Sequence, residues 1–165
     1  MSFGPQGERL RRRIRKRLPV TFWLWKTLPL AAFAGLRVTR LDGDGCSVRL
    51  PGGWRTQNPF RSTYFGAQAM AAEMSTGAPA LVLVADAPAS VAMLVVGLRA
   101  TYSKKIVGAS VFAFEGVEDM GAAVARAADS GKPEVFVARS VGRDGAGDVC
   151  AEFEITWSFR RRRRG

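Results

Sequence analysis

A glycine and an acidic residue stand seven positions apart in the middle of the chain. Residues 58–74 read NPFRSTYFGAQAMAAEM, which places Gly66 and Glu73 about two helical turns apart on nearly the same helix face. Backbone N–H groups at the start of a helix lack intrahelical partners and can hold a carbonyl oxygen, and a glycine lets a ligand come close. A glutamate can act as general base or nucleophile on the same carbonyl carbon. The pattern therefore predicts chemistry on a carbonyl compound.

The spacing also has a consequence for assembly. Two helical turns separate Gly66 and Glu73 by about 10 Å along the axis, so one helix cannot bring both groups to one carbonyl. In a two-fold dimer, the start of one helix can lie beside the middle of its partner. The spacing therefore predicts a site shared between subunits of a homodimer, with a tetramer as the larger alternative.

The net charge of +11 comes from the two ends of the 165-residue chain. Residues 9–17 carry seven Lys or Arg and residues 160–164 are five Arg, whereas residues 18–159 hold thirteen basic and thirteen acidic residues. We therefore expect a basic N-terminal tail (1–17), one domain (18–159) and an Arg-rich C-terminal tail (160–165). Runs of like charge are usually solvated and mobile, and the alternative for both tails is contact with membrane or nucleic acid.

The absence of histidine excludes Ser-His-Asp triads, Cys-His pairs and His-ligated zinc. Cys46 and Cys150 lie in no metal-ligand spacing. We expect them in the core of a cytoplasmic protein, in a reducing compartment, although the sequence leaves one disulfide open. We expect no metal and no redox cofactor.

An apolar stretch, VTFWLWKTLPLAAFAG, follows the first basic run and imitates a secretory signal. Lys26 and Pro29 interrupt it, and it is too short to span a bilayer comfortably. We instead expect a first helix that lays Phe22, Trp23 and Leu24 on the domain. A peripheral membrane contact through its Trp and Arg residues is the alternative.

The rest of the chain predicts an α+β domain with a single antiparallel sheet. A DGDG turn in LRVTRLDGDGCSVRLP is typical of a hairpin. A helix is predicted from Tyr64 to about Ser75, with Ser62 or Thr63 as its N-cap. Strands are predicted at PALVLVA, SVAMLVVGLRATYSK and IVGASVFAFEGV, a second helix at DMGAAVARAADSG, and a closing hairpin at EVFVARSVGRDGAGDVCAEFEITWSF.

The order of these elements and the spacing Asn–(seven residues)–Gly–(six residues)–acid resemble the hotdog-fold acyl-CoA thioesterases of the PaaI-like group. A typical motif there is Asn-x-x-Gly-x-x-His-Gly-Gly, with an acid seven residues after the last Gly. Asn58, Gly66 and Glu73 stand at the corresponding positions of this chain.

Three positions depart from that motif. Arg61 stands at the first Gly, Tyr64 at the His and Phe65 at the penultimate Gly. The sequence is more similar to an uncharacterised branch of hotdog domains with NPFGS-like and GA..MAAE-like segments and a closing AEF..TW strand. The resemblance covers about residues 18–159.

The resemblance implies a dimeric hotdog fold, in which a five- or six-stranded antiparallel sheet wraps a central helix. Asn58 would position the thioester or the water, the amide of Gly66 with that of Phe65 would hold the carbonyl oxygen, and Glu73 of the other subunit would activate water. The substrate would be acyl-CoA or acyl-carrier protein. Because Tyr64 and Phe65 replace His and Gly, the alternative is a non-catalytic domain that binds an acyl or other hydrophobic ligand.

Each residue of the motif also has a purely structural explanation. Glu73 could be a partly buried acid that pairs with Arg61 or Arg99. Asn58 precedes a proline and is a common turn residue. Gly66 could allow close packing between helix and sheet.

Overall fold

The computed structural model describes residues 2–15 and 24–162. Its helices are α1 (Pro5–Arg15), α2 (Pro29–Ala34), α3 (Phe65–Asp86) and α4 (Val117–Ser130), and residues 24–27 are also helical. Its strands are β1 (Arg37–Leu41), β2 (Gly45–Leu50), β3 (Val91–Tyr102), β4 (Ser110–Glu115), β5 (Glu134–Arg143) and β6 (Val149–Arg161).

The six strands form one antiparallel sheet in the order β1-β2-β4-β5-β6-β3. This order leaves β1 and β3 at the two edges. The central helix α3 packs against β2, β4 and β5, and the sheet wraps it. The predicted α+β class and hotdog fold, with a central helix and six strands, are confirmed.

The central helix is longer than the sequence predicted. It has 22 residues and includes Pro79, so the prediction of an end near Ser75 and of a strand at PALVLVA was wrong. A short apolar run cannot be assigned to helix or strand from periodicity alone, and a proline usually favours an end. Here burial outweighs that preference, because Ala71, Ala72 and Ala80 are fully buried and their small side chains let the sheet approach closely.

The start of α3 also differs from the prediction. Its N-cap is Tyr64 in an extended conformation, and no side chain caps the helix, so neither Ser62 nor Thr63 has the predicted role. The Thr63 backbone is used elsewhere, since its N–H donates to the Ile106 carbonyl. The first N–H groups of α3 consequently receive no side-chain cap.

The N-terminal basic run is folded over most of its length, which corrects the expectation of a mobile tail at 1–17. Residues 5–15 form α1, which packs against α3 and buries Gly7 and Ile14. The Asp86 carboxylate accepts hydrogen bonds from the N–H groups of Gly4 and Gly7, each at 2.7 Å. One face of the basic run is apolar, and this face attaches the helix to the domain.

The other predictions for the N-terminal and C-terminal parts of the chain are confirmed only in part. Leu24 is buried as predicted, whereas Phe22 and Trp23 lie outside the described residues. Strand β6 continues to Arg161, two residues into the expected C-terminal tail, and residues 163–165 lie outside the description. Among the described helices, none is long and apolar enough to cross a membrane.

The core lies between α3 and the sheet. Alternate residues of β6 point into it, as the sequence pattern indicated, and Phe112 and Phe114 of β4 complete it. Cys46 and Cys150 are buried free thiols, so the disulfide that the sequence left open is not formed. Burial raises the pKa of the Cys46 thiol to about 12, which makes it unreactive. The inward-facing residues of β6 are Ala151, Phe153, Ile155, Trp157 and Phe159.

Candidate active site

Glu73 faces an apolar cavity of about 450 Å³ beside the central helix. The cavity is bounded by α3, by the edge strand β3, by Trp157 of β6 and by the chain from the end of α1 to β1, so its walls come from distant parts of the chain. Its apolar lining is formed by Ile14, Leu24, Leu28, Leu36, Val38, Met74, Ala78, Leu81, Met93, Leu94, Val95 and Trp157. We call this space the Glu73 cavity.

The Glu73 carboxylate is largely withdrawn from water and has no hydrogen-bond or ion-pair partner among the described residues. Neither Arg61 nor Arg99 pairs with it, so the structural explanation through those arginines is wrong. Desolvation by burial raises the pKa of Glu73 above the ordinary glutamate value of 4.5. A carboxyl group with a raised pKa is better suited to take up a proton near neutral pH than an exposed one.

Two neighbours hold this part of α3 in place. A Cβ on Gly77 would lie 2.8 Å from Glu73 Oε1 and 3.3 Å from the Trp157 ring, so glycine leaves room for the carboxylate. The Trp157 indole N–H donates to Thr76 Oγ1 at 3.0 Å, and the Thr76 hydroxyl donates to the Glu73 backbone carbonyl, also at 3.0 Å. This chain of contacts fixes the helix turn that carries Glu73 against β6.

The start of α3 supplies unused hydrogen-bond donors. The N–H groups of Ala67 and Gln68 both donate to the Tyr64 carbonyl, whereas those of Phe65 and Gly66 have no acceptor in the described part of the chain. The helix dipole adds partial positive charge at this end. The two free amides can therefore stabilise an oxyanion or a carbonyl oxygen.

Two aromatic rings border these amides. The Tyr64 and Phe65 rings are about half exposed and touch, with centroids 4.6 Å apart. A Cβ on Gly66 would lie 2.6 Å from the Tyr64 ring, so the tyrosine lies directly over the glycine. Because the Tyr64 ring is the exposed end of a flexible side chain, it can turn aside and open the approach to Gly66.

Asn58 organises the loop before α3. Its Oδ1 accepts from the N–H groups of Phe60 and Ser62 and from the Ser62 hydroxyl, at 3.0 to 3.2 Å. Arg61 in this loop has φ 58°, in the left-handed region that favours glycine, which is the residue at this position in the thioesterase motif. The turn role considered for Asn58 is thus present in the structure, and its Nδ2 has no acceptor in the described residues.

Asn58 and Phe65 line a second cavity, of about 380 Å³, at the start of α3. Gln68 also lines it, donates from Nε2 to the Thr63 carbonyl at 3.0 Å, and leaves its buried Oε1 without a partner in the described part of the chain. An unpartnered buried oxygen costs free energy unless a ligand or water satisfies it. The sequence analysis did not identify Gln68 as a site residue. The only feature that could have indicated it is an amide side chain in a helix that consists mainly of small residues.

One protomer does not unite the predicted site residues. Asn58 and Phe65 border the cavity at the start of α3, and Gly66 lies beside them, whereas Glu73 faces the other cavity two turns along. Within one chain, the Gly66 amide and the Glu73 carboxylate therefore lie apart, as the spacing had indicated. Within residues 2–15 and 24–162, no cluster of three or more His, Cys, Asp or Glu side chains could hold a metal ion.

The fold places the chain among hotdog-fold proteins. It belongs to the family described as Domain of unknown function (DUF4442), whose model matches residues 20–159. No curated protein matches the chain.

Solved structures of low sequence identity share the fold. A protein of unknown function from Pseudomonas aeruginosa, described as a probable thioesterase, is 19% identical with a TM-score of 0.73, covering 91% of this chain and 99% of its own. A protein of unknown function from Chlorobaculum tepidum TLS is 13% identical with a TM-score of 0.79, covering 95% and 98%. The thioesterase HI1161 from Haemophilus influenzae is 13% identical with a TM-score of 0.64, covering 89% and 94%.

Proposed function

We propose that the protein hydrolyses an acyl thioester, carried by coenzyme A or by an acyl-carrier protein, at a site shared between two subunits. The observation that carries this proposal is Glu73: an unpaired carboxyl with a raised pKa at the wall of an apolar cavity. Such a cavity takes an acyl chain, and the carboxyl takes up a proton beside it. The fold that this chain shares with thioesterases supports the same reaction class.

The edge strand β3 supports the homodimer. It is twelve residues long and unpaired on its outer side within the described chain, and it exposes Leu94, Val96 and Leu98 at 65%, 54% and 51%. A long apolar edge of this kind invites pairing with another chain. Because Met93 and Val95 of β3 also line the Glu73 cavity, a partner paired along this edge would lie beside the cavity.

The reaction uses three groups in the proposed dimer. Glu73 takes a proton from water, and the resulting hydroxide attacks the thioester carbonyl carbon. The N–H groups of Phe65 and Gly66 from the other subunit hold the oxyanion. The C–S bond then breaks, and the thiolate takes the proton back from Glu73, which leaves a carboxylic acid, a thiol and the original carboxylate. Asn58 borders this end and can orient the water or the thioester through its free Nδ2.

The direct test is turnover of a panel of acyl-CoAs from short to long chain by wild type, Glu73→Gln and Glu73→Ala. We expect wild-type hydrolysis with a chain-length preference, and a loss of kcat of at least about 10²-fold in both variants. Glu118→Gln, an exposed acid at the start of α4, is the matched control and should keep full activity. Absence of wild-type turnover at every chain length, or full activity in Glu73→Ala, would contradict the proposal.

A second candidate is a non-catalytic domain that binds an acyl or other hydrophobic ligand, and the Tyr64 ring over Gly66 favours it. In that case native mass spectrometry of the purified protein should show a retained lipid-like molecule, and the Glu73→Gln variant should retain it equally. Tyr64→Ala separates the two candidates. If the protein is a hydrolase whose amides the ring partly obstructs, this variant hydrolyses acyl-CoA faster than wild type, whereas a pure binding protein stays inactive.

We also propose a cytoplasmic location. The buried free thiols Cys46 and Cys150 support it, since cysteines stay reduced in that compartment. Fractionation of cells that express the full chain is the test, and recovery with a membrane or extracellular fraction would contradict the proposal.

A further inference from the structure

A third cavity, of about 460 Å³, adjoins the Glu73 cavity and has a different character. The two spaces share wall residues of the N-terminal segment and β1, so they form neighbouring chambers: Ile14, Leu24, Leu36, Arg37 and Val38 line both. Four arginines line the new space, and we call it the arginine cavity: Arg15 at the end of α1, Arg37 on β1, Arg49 on β2 and Arg55 in the following loop.

None of these four guanidinium groups has an acidic partner in the described part of the chain. Residues 16–23, which the structure does not describe, contain no Asp or Glu. Nearby arginines behave differently, because Arg11 pairs with Glu8 at 2.7 Å and Arg40 pairs with Asp42, also at 2.7 Å. These two neighbouring arginines thus have acidic partners, whereas the four arginines of the cavity have none among the described residues.

All four arginines are exposed, and the sheet register holds two of them side by side. Arg37 and Arg49 are direct cross-strand partners in the β1–β2 hairpin. Like charges at directly opposed positions destabilise a strand pair, and an anion between them would reverse the sign of that contribution. The residue pairing that the hairpin imposes therefore creates a site that is complementary to negative charge.

We propose that the arginine cavity binds the phosphate groups of an acyl-bearing ligand whose acyl chain enters the Glu73 cavity. Guanidinium groups bind phosphate oxygens in pairs of parallel hydrogen bonds, and four of them around one depression suit more than one phosphate charge. This inference rests on the proposed function for the acyl end. It adds that the ligand is recognised by phosphate, from a soluble thioester carrier such as coenzyme A or from a phospholipid.

The four arginines come from α1, from the two strands of the β1–β2 hairpin and from the loop that follows it. Arg15 reaches the cavity only while α1 is docked on α3, and Arg55 only while the loop after β2 keeps its place. The complete arginine cavity therefore forms only when α1 is docked on the domain.

Titration calorimetry with two probes tests the inference: coenzyme A, and dihexanoyl phosphatidic acid below its critical micelle concentration. We expect wild type to bind at least one of them, and the double variant Arg37→Gln/Arg49→Gln to bind it at least about 100-fold more weakly, since each lost charged hydrogen bond weakens binding roughly tenfold. Arg13→Gln, an exposed α1 arginine outside the cavity, is the control and should bind within about twofold of wild type. The double variant should unfold at or above the wild-type temperature, because it removes a like-charge pair.

The outcomes identify the source of the phosphate, and they distinguish failure of this inference from failure of the proposed hydrolysis. Loss of coenzyme A binding identifies a soluble carrier, and loss of phosphatidic acid binding alone identifies a lipid. No binding of either probe to wild type, or equal binding by the double variant, overturns the inference. Hydrolysis gives an independent readout. Arg49→Gln/Arg55→Gln changes two arginines that line only the arginine cavity, and it should raise KM for acyl-CoA but not for the phosphate-free acyl-N-acetylcysteamine. If wild type hydrolyses no acyl-CoA of any chain length while the arginine variants still lose binding, only the proposed hydrolysis fails.

Discussion

The Asp86 carboxylate strengthens the attachment of α1 to the central helix, and Asp86→Ala tests by how much. The variant removes both acceptors for the Gly4 and Gly7 amides, which now lie at 2.7 Å. A hydrogen bond to a charged group contributes about 1.5–3 kcal/mol, and the lower value applies because both bonds are only partly buried. The sum of about 3 kcal/mol corresponds to an α1 that is undocked about 150-fold more often, since each 1.4 kcal/mol is a factor of ten.

Native-state hydrogen exchange measures this directly. Amides of residues 4 and 6–15 should lose about two orders of magnitude of protection in Asp86→Ala, while β4, β5 and β6 stay protected. Gly7→Ala should act in the same direction, because a Cβ there would overlap the Asp86 carboxylate. That variant is informative, since alanine favours an isolated helix by about 1 kcal/mol over glycine and would otherwise slow exchange.

Asp119→Ala is the matched control, because Asp119 is an exposed acid in the first turn of α4. If α1 exchanges equally fast in Asp86→Ala and Asp119→Ala, the carboxylate does not hold the helix and the reasoning is refuted. Since Ile14 lines both the Glu73 cavity and the arginine cavity, undocking should also weaken any ligand that occupies them.

Two further variants test the surroundings of Glu73. Burial raises the Glu73 pKa, so wild-type stability should fall as pH rises from about 4.5 through the folded-state pKa, with a slope of up to about 1.4 kcal/mol for each pH unit in that interval. Urea unfolding should therefore find Glu73→Gln equal to wild type at pH 4 and more stable at pH 8, and a wild-type advantage at pH 8 would contradict this. Thr76→Val leaves the buried Trp157 N–H without its acceptor and should cost about 1–3 kcal/mol, or roughly 2–4 °C in Tm for each kcal/mol. An unchanged Tm would mean that this hydrogen bond adds nothing.

Much of the fold could be read from local patterns. The alternation in the last strand, the DGDG turn and two of the three apolar runs each report short-range geometry, and the structure follows them. The predicted helix boundary was wrong because Pro79 and the two valines after it, Val82 and Val84, disfavour a helix locally, whereas the surrounding sheet determines their conformation.

Less of the candidate site could be predicted from the sequence. The Gly66–Glu73 spacing pointed to the helix face, but nothing local indicated that Glu73 would lie unpaired in an apolar cavity. The packing of α1 on the domain could not be predicted from composition, because its charged residues far outnumber its apolar ones. The arginine cavity depends on the β1–β2 register and on long-range packing, and neither can be read from a sequence window.

The central claim is that Glu73 of one subunit acts with the Gly66 amide of the other, and hybrid dimers test it most directly. Glu73→Ala lacks the base. Gly66→Val puts a Cβ against the Tyr64 ring and obstructs the amides. Each variant alone should be a folded, inactive dimer.

The measurement is thioesterase activity after the two variants are unfolded together in equal amounts and refolded. In a hybrid dimer, one of the two shared sites has both wild-type groups, and half of the dimers are hybrids. We therefore predict recovery of about a quarter of wild-type activity. No recovery from a mixture that contains hybrid dimers would show that the two groups do not act across subunits.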